Sequence, residues 1–162
     1  GSKVMTAVAN TTPVARADVS LAGGRVRVVS DTVEVSAAAS DTSTYSLARV
    51  PTNAVLLPQS DVAWDDLATT GAPTFDIGIF AADGQTEITD DPDAINNGLA
   101  ASSARAFGGT MVGAVETVGQ RMWERLGLTS DPGGRVDIKA SLVDADTDTG
   151  GTLSMVVFYV VD

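Results

Sequence analysis

Leu153-Ser154-Met155-Val156-Val157-Phe158-Tyr159-Val160-Val161 is the stretch on which the reading of the fold turns. It holds no Gly, Pro or charged residue, and its Val and aromatic side chains suit a pleated backbone. Both faces of such a strand are apolar, as in a central strand of a β-sandwich. Upstream, Val136-Asp137-Ile138-Lys139-Ala140-Ser141-Leu142-Val143 alternates with period two. An acidic turn closed by Gly150-Gly151 lies between the two segments, so they read as a hairpin.

Further strands extend the pattern toward the N-terminus. Thr74-Phe75-Asp76-Ile77-Gly78-Ile79-Phe80 places Phe75, Ile77 and Ile79 on one face. Tyr45 to Val50 is a strand stopped by Pro51, which has no N–H for a ladder. Ala54 to Leu57 is a buried segment stopped by Pro58, and Ser60 to Leu67 a strand with Trp64 inward. Residues 17–38 read as two β segments, Arg25–Val28 and Val33–Val35, parted by Ser30-Asp31-Thr32 and preceded by a Gly23-Gly24 turn. Residues 1–16 are small and polar, with Pro13 among them, and are expected to form an extended arm. That leaves 17–162 as the β domain.

The middle of the chain reads differently. In Asp90-Asp91-Pro92-Asp93, Asp91 suits a helix cap and Pro92 a first helical position, which predicts a short helix to Ala101. A second helix is predicted over 116–127, with Val118, Met122, Trp123 and Leu126 on one face and Gly127 ending it. The three glycines of 106–114 predict an irregular stretch. Strong turns at Asp83-Gly84 and at Asp131-Pro132-Gly133-Gly134 complete the count. The expected class is mostly β: an antiparallel, jelly-roll-like sandwich with one or two short helices around 91–127.

Composition narrows the chemistry. The net charge is −11, and only 10 residues are basic, so no concentrated cationic face for a phosphate backbone is expected. An anionic membrane would repel such a chain. No stretch approaches the ~20 apolar residues that span a bilayer as a helix. His and Cys are absent, which removes Ser-His-Asp and Cys-His catalysis and the usual zinc ligands. Charged residues make up 19%, below the ~25% typical of globular domains. Such a surface suits a protein that packs against others.

Three acidic clusters are candidate sites. Asp144-Ala145-Asp146-Thr147-Asp148-Thr149-Gly150 matches the first half of a calcium loop, making Asp144, Asp146 and Asp148 the leading metal candidate, ahead of a cation at Asp90, Asp91 and Asp93. The bidentate Glu of such a loop would fall on Met155, and the flanks are strands. An Asp-rich turn is therefore the simpler reading. Asp90, Asp91 and Asp93 are explained by capping. Asp61, Asp65 and Asp66 around Trp64 loosely resemble a carboxylate-plus-aromatic sugar site, but a core Trp between strand-end carboxylates accounts for them. The Gly-Gly pairs lack the context of phosphate loops. No catalytic or cofactor-binding residue is expected, and the chain reads as a non-enzyme.

Several segments carry a resemblance. Asp41-Thr42-Ser43-Thr44-Tyr45-Ser46-Leu47-Ala48-Arg49-Val50-Pro51, Ala63-Trp64-Asp65-Asp66-Leu67 and Phe75-Asp76-Ile77-Gly78-Ile79-Phe80 resemble a family of tailed-bacteriophage virion structural proteins. So do Thr129-Ser130-Asp131-Pro132-Gly133-Gly134 and the segment from Gly151 to Asp162. The resemblance rests on packing and turn residues and brings no catalytic residues. It implies a capsid decoration (cement) protein made in the host cytoplasm and bound to the outer capsid surface. Its implied partners are the major capsid protein and further copies of itself, as a trimer. Two alternatives stay open: a head–tail connector or tail protein, and a carbohydrate-binding sandwich used in host adhesion. The latter needs exposed aromatics, for which Trp64, Trp123, Tyr45 and Tyr159 are the large candidates.

Overall fold

The computed structural model describes residues 25–108, 117 and 119–161. The predicted arm at 1–16 and the Gly23-Gly24 turn lie outside the described residues, as do 109–116 and Val118. The described strands are β1 (Val26–Val35), β2 (Thr44–Pro51), β3 (Val55–Leu56), β4 (Asp61–Trp64), β5 (Thr74–Ala81), β6 (Asp91–Ala100), β7 (Arg135–Val143) and β8 (Gly151–Val160). One helical turn, α1 (Met122–Arg125), precedes β7.

The strands form two antiparallel sheets. In the first, β8 is central, with β1 on one side and both β3 and β4 on the other. The second has the order β2-β7-β5-β6. The pairings are nested: β1 with β8, β2 with β7, β5 with β6. Isolated antiparallel bridges, Val55↔Arg121 and Trp64↔Arg105, continue the nesting beyond β3 and β4. A long hairpin rolled up in this way is a jelly roll, with one strand position split into β3 and β4 and its partner represented, among the described residues, by two bridges.

Alternation along each strand decides which side chains enter the core between the sheets. Phe75, Ile77 and Ile79 of β5, Val136, Ile138 and Ala140 of β7, and Leu153, Met155 and Val157 of β8 are all buried. Trp64 joins them, tilted against Phe75 with ring centroids 4.8 Å apart. The expectations of a central Leu153–Val161 strand and an inward Trp64 hold.

The predicted hairpin of the last two strands does not form. β7 bonds β2 and β5, whereas β8 lies in the opposite sheet against β1, β3 and β4. Period-two patterning tells which face of a strand is buried and is silent on which neighbour completes its ladder. The predicted pause at Ser30-Asp31-Thr32 is also absent, since β1 runs through it in continuous register with β8.

The helix predicted from Pro92 to Ala101 is corrected to strand β6. Its backbone bonds the edge of β5, from Thr74↔Ala100 to Ile79↔Asp91, with two register shifts. Those partners satisfy β5 and bury Ile95, whereas Asn96, Asn97 and Gly98 are poor helix formers. The approach is close: a Cβ on Gly78 would lie 2.3 Å from the Pro92 carbonyl carbon, so β5 needs glycine there. The helix predicted over 116–127 is confined, among the described residues, to α1. Ahead of it the Arg121 backbone bridges Val55, and the Met122 and Trp123 N–H groups donate to Ala54 and Thr52. Gly127 follows the turn with φ 75°, as predicted for its end.

Candidate interaction surface

The three carboxylates of the calcium-like segment sit in the crossing between β7 and β8, and each is engaged by a different partner. Asp144 accepts from the Thr74 hydroxyl at 2.7 Å. Asp146 accepts from the Asp41 N–H at 2.9 Å. Asp148 accepts from the backbone N–H and hydroxyl groups of both Thr69 and Thr70, at 2.6 to 3.1 Å. Those donors, led by the Thr69 N–H, hold the Asp148 carboxyl down at a pKa of about 2. Between them, Thr147 donates to the Ser36 carbonyl and accepts from the Ala39 N–H. The segment thus staples the crossings 36–43 and 65–70 to its own. Among the described residues, no group of three acidic side chains is placed to hold a metal ion.

The carboxylates around Trp64 are likewise tied to the fold. Asp61 is buried, pairs with Arg105 at 3.0 Å and accepts the Gly108 N–H at 2.9 Å. This holds the 105–108 segment against β4, and the Arg105 guanidinium lies 5.9 Å from the Trp64 ring centre. Asp65 accepts the Thr152 N–H and Asp66 the Ala68 N–H. Trp64 is 4% exposed and donates its Nε1–H to the Ala100 carbonyl, so its ring offers no stacking face to a sugar. In the third cluster, Asp90 accepts the Ala81 N–H and Asp93 the Asn97 side-chain amide. Burial, followed by a hydrogen bond with Asp93, raises the Asp91 pKa.

With the acidic clusters engaged in the fold, the outer faces of the sandwich carry the remaining signal, and they differ. On the second sheet, Arg49 forks onto Asp137 at 2.6 and 3.0 Å, and the Lys139 ammonium sits 4.9 Å from the Phe80 ring centre. On the first, Val26 and Val28 are 58% and 55% exposed and lie opposite Val160 and Phe158 of β8. Phe107, 53% exposed, lines a shallow cleft with Ala63, Thr152 and Ser154 on that same face. The large exposed apolar side chains of the described residues thus share one outer face. Sequence reading marked the alternation of Val26 and Val28 but not their exposure. The Asp61–Arg105 pair spans 44 residues and has no local signature.

An open cleft of about 300 Å³ runs between β1 and β2, lined by Val29, Asp31, Leu47, Ala48 and Arg49 among others. It marks the side on which both sheets end.

No protein-family model matches the sequence, and no curated protein matches it. Among solved structures, a chain of the cyanophage Pam1 capsid asymmetric unit is 17% identical, with a TM-score of 0.46, over 98% of this chain and all of its own length. A chain of the Ralstonia phage GP4 capsid is 19% identical over 94% of this chain and 92% of its own, with a TM-score of 0.51. The GP4 likeness is one of fold, and it spans nearly the whole of both chains.

Proposed function

We propose that this chain is a non-enzymatic structural protein of a tailed-phage virion, and specifically a capsid decoration (cement) protein on the outer shell. The observation that carries the reading is the end-to-end likeness of fold to a chain of the Ralstonia phage GP4 capsid. The outer face with Val26, Val28 and Phe107 adds a physical reason. Exposed apolar side chains gathered on one face favour docking onto another protein surface. The major capsid protein is the partner that this reading assigns.

In this role the protein works by adhesion. A copy seated across a joint between capsid subunits adds buried area that must be lost before the joint opens. Repetition over the lattice multiplies modest contacts through effective concentration. The carboxylates that could have served hydrolysis are hydrogen-bonded to backbone and loop groups instead, which supports a role without catalysis.

Adding purified protein to capsids that lack it tests the proposal. Electron cryomicroscopy is expected to show copies at repeated positions over the outer shell, and decorated capsids are expected to hold their DNA to higher temperature. Copies confined to the portal vertex would replace the decoration reading with the connector reading. Absence from the particle would end both.

A further inference from the structure

The outer edge of β1, which pairs with no strand among the described residues, carries a self-complementary charge pattern. The strand runs ten residues in unbroken register with β8, from Val26↔Val160 to Val35↔Gly151, and contains neither Gly nor Pro. Its other edge bonds no described strand. Natural edges are commonly blunted by bulges or Pro, because an open ladder is a template for another strand. The edges of the second sheet follow that rule: β2 has one register shift, and β6 has two and contains Pro92. The β1 edge has neither bulge nor Pro; its guard is charge, with Arg27 and Asp31 on the inner face, a pattern that opposes most strands but matches a second copy of itself.

We propose that the β1 edge takes a second copy of itself, two β1 strands pairing antiparallel about a two-fold axis at Val29. In that register Arg27 stands opposite the partner subunit's Asp31, and Asp31 opposite the partner subunit's Arg27. Arg27, Val29 and Asp31 share the inner face, opposite Tyr159, Val157 and Met155 of β8. The added strand would lay its own Val29 beside the cleft between β1 and β2, where there is open space. Other registers lose this match. An axis at Ser30 sets both charges against Val, and one at Asp31 sets two carboxylates against each other. An axis at Val28 pairs Asp31 with Arg25, outside β1. A self-matching edge closes as a two-fold pair rather than the three-fold ring that the resemblance implies. A strand pair this short buries less than the ~1,600 Å² of a standard interface, so the contact is weak in solution and gains strength where copies are held side by side.

The inference stands on the edge alone, and its test uses the isolated protein, so its failure leaves the capsid reading untouched. The chain has no Cys, so introduced thiols report cleanly. Val29→Cys should form an intermolecular disulfide under mild oxidation, because directly opposed Cα atoms lie about 4.5–5.5 Å apart, within disulfide reach. Val28→Cys should cross-link with Ser30→Cys in a mixture but not with itself, since diagonal neighbours lie about 7–8 Å apart. By sedimentation at high concentration, Arg27→Asp should weaken the pair about tenfold or more by setting like charges opposite each other. Arg27→Asp with Asp31→Arg should restore it, a rescue that a purely structural effect would not give. A monomer or trimer that yields no Val29→Cys disulfide, a self-disulfide of Val28→Cys, or indifference to Arg27→Asp would each overturn the proposal.

Discussion

The two sheets share one core but end differently. The second sheet is finished at its margins. β6 closes one side through a bulged pairing that needs Gly78, and β2 carries its own bulge on the other. Its outer face is knit by the Arg49–Asp137 fork and by Lys139 over Phe80. The first sheet ends, among the described residues, in β1, which keeps unbroken ten-residue register with β8, and its outer face carries exposed Val26 and Val28. The second sheet pairs charged groups on its outer face with one another, whereas the first leaves apolar side chains exposed, a pattern that marks candidate docking faces.

Substitutions in each sheet test the contrast. The largest effect is expected where the sheets meet. Phe75 is fully buried against Trp64 and Tyr45, so Phe75→Ala should cost about 3–5 kcal/mol in denaturant unfolding. At the finished edge, Gly78→Ala drives a methyl into the Pro92 backbone and should cost about 1–3 kcal/mol, with hydrogen-exchange protection lost first in β6. A loss spread evenly over both sheets would show that the β5–β6 margin is not a separate device.

Asp148 probes the crossing that joins the sheets. Its carboxyl titrates at about 2 in the folded chain, below the ~3.9 of a free Asp. The folded pKa is depressed, so its stabilisation is complete above about pH 4 and is lost as pH falls through about 2. Asp148→Asn should therefore lower the melting temperature at neutral pH by an amount that shrinks as the pH approaches 2. A difference constant with pH would separate the residue's role from its charge.

On the open face, Val28→Asp should shift unfolding stability by less than about 0.5 kcal/mol, as an exposed substitution does. Binding to undecorated capsids should fall nonetheless, and retained binding would move the docking surface elsewhere. The smallest effect concerns the calcium-like segment. With Asp144, Asp146 and Asp148 turned to separate partners, millimolar calcium should leave the melting temperature unchanged relative to chelator. A site saturated at a hundred times its dissociation constant would add about 2.7 kcal/mol and raise it visibly.

Much of the fold was legible in residue order because burial leaves a local trace. Phe75, Ile77 and Ile79 alternate, so their common face is read directly, and a strand apolar on both sides, Leu153 to Val161, belongs in the centre of its sheet. The candidate surface was legible only in part: Val26 and Val28 share a face by parity, but nothing local says that the face is left uncovered. Pairing leaves no such trace. The partners of β7 and β8, the capture of Asp91–Ala100 as a strand on β5, and the joining of Asp61 to Arg105 each depend on segments far apart in the chain. Which side chains face the core follows from residue order, because the two-residue period of a strand is a property of neighbours. Which strand meets which, and so which edge and face lie unpaired among the described residues, is set only by the assembled fold, because those hydrogen bonds form between groups that sequence distance does not relate.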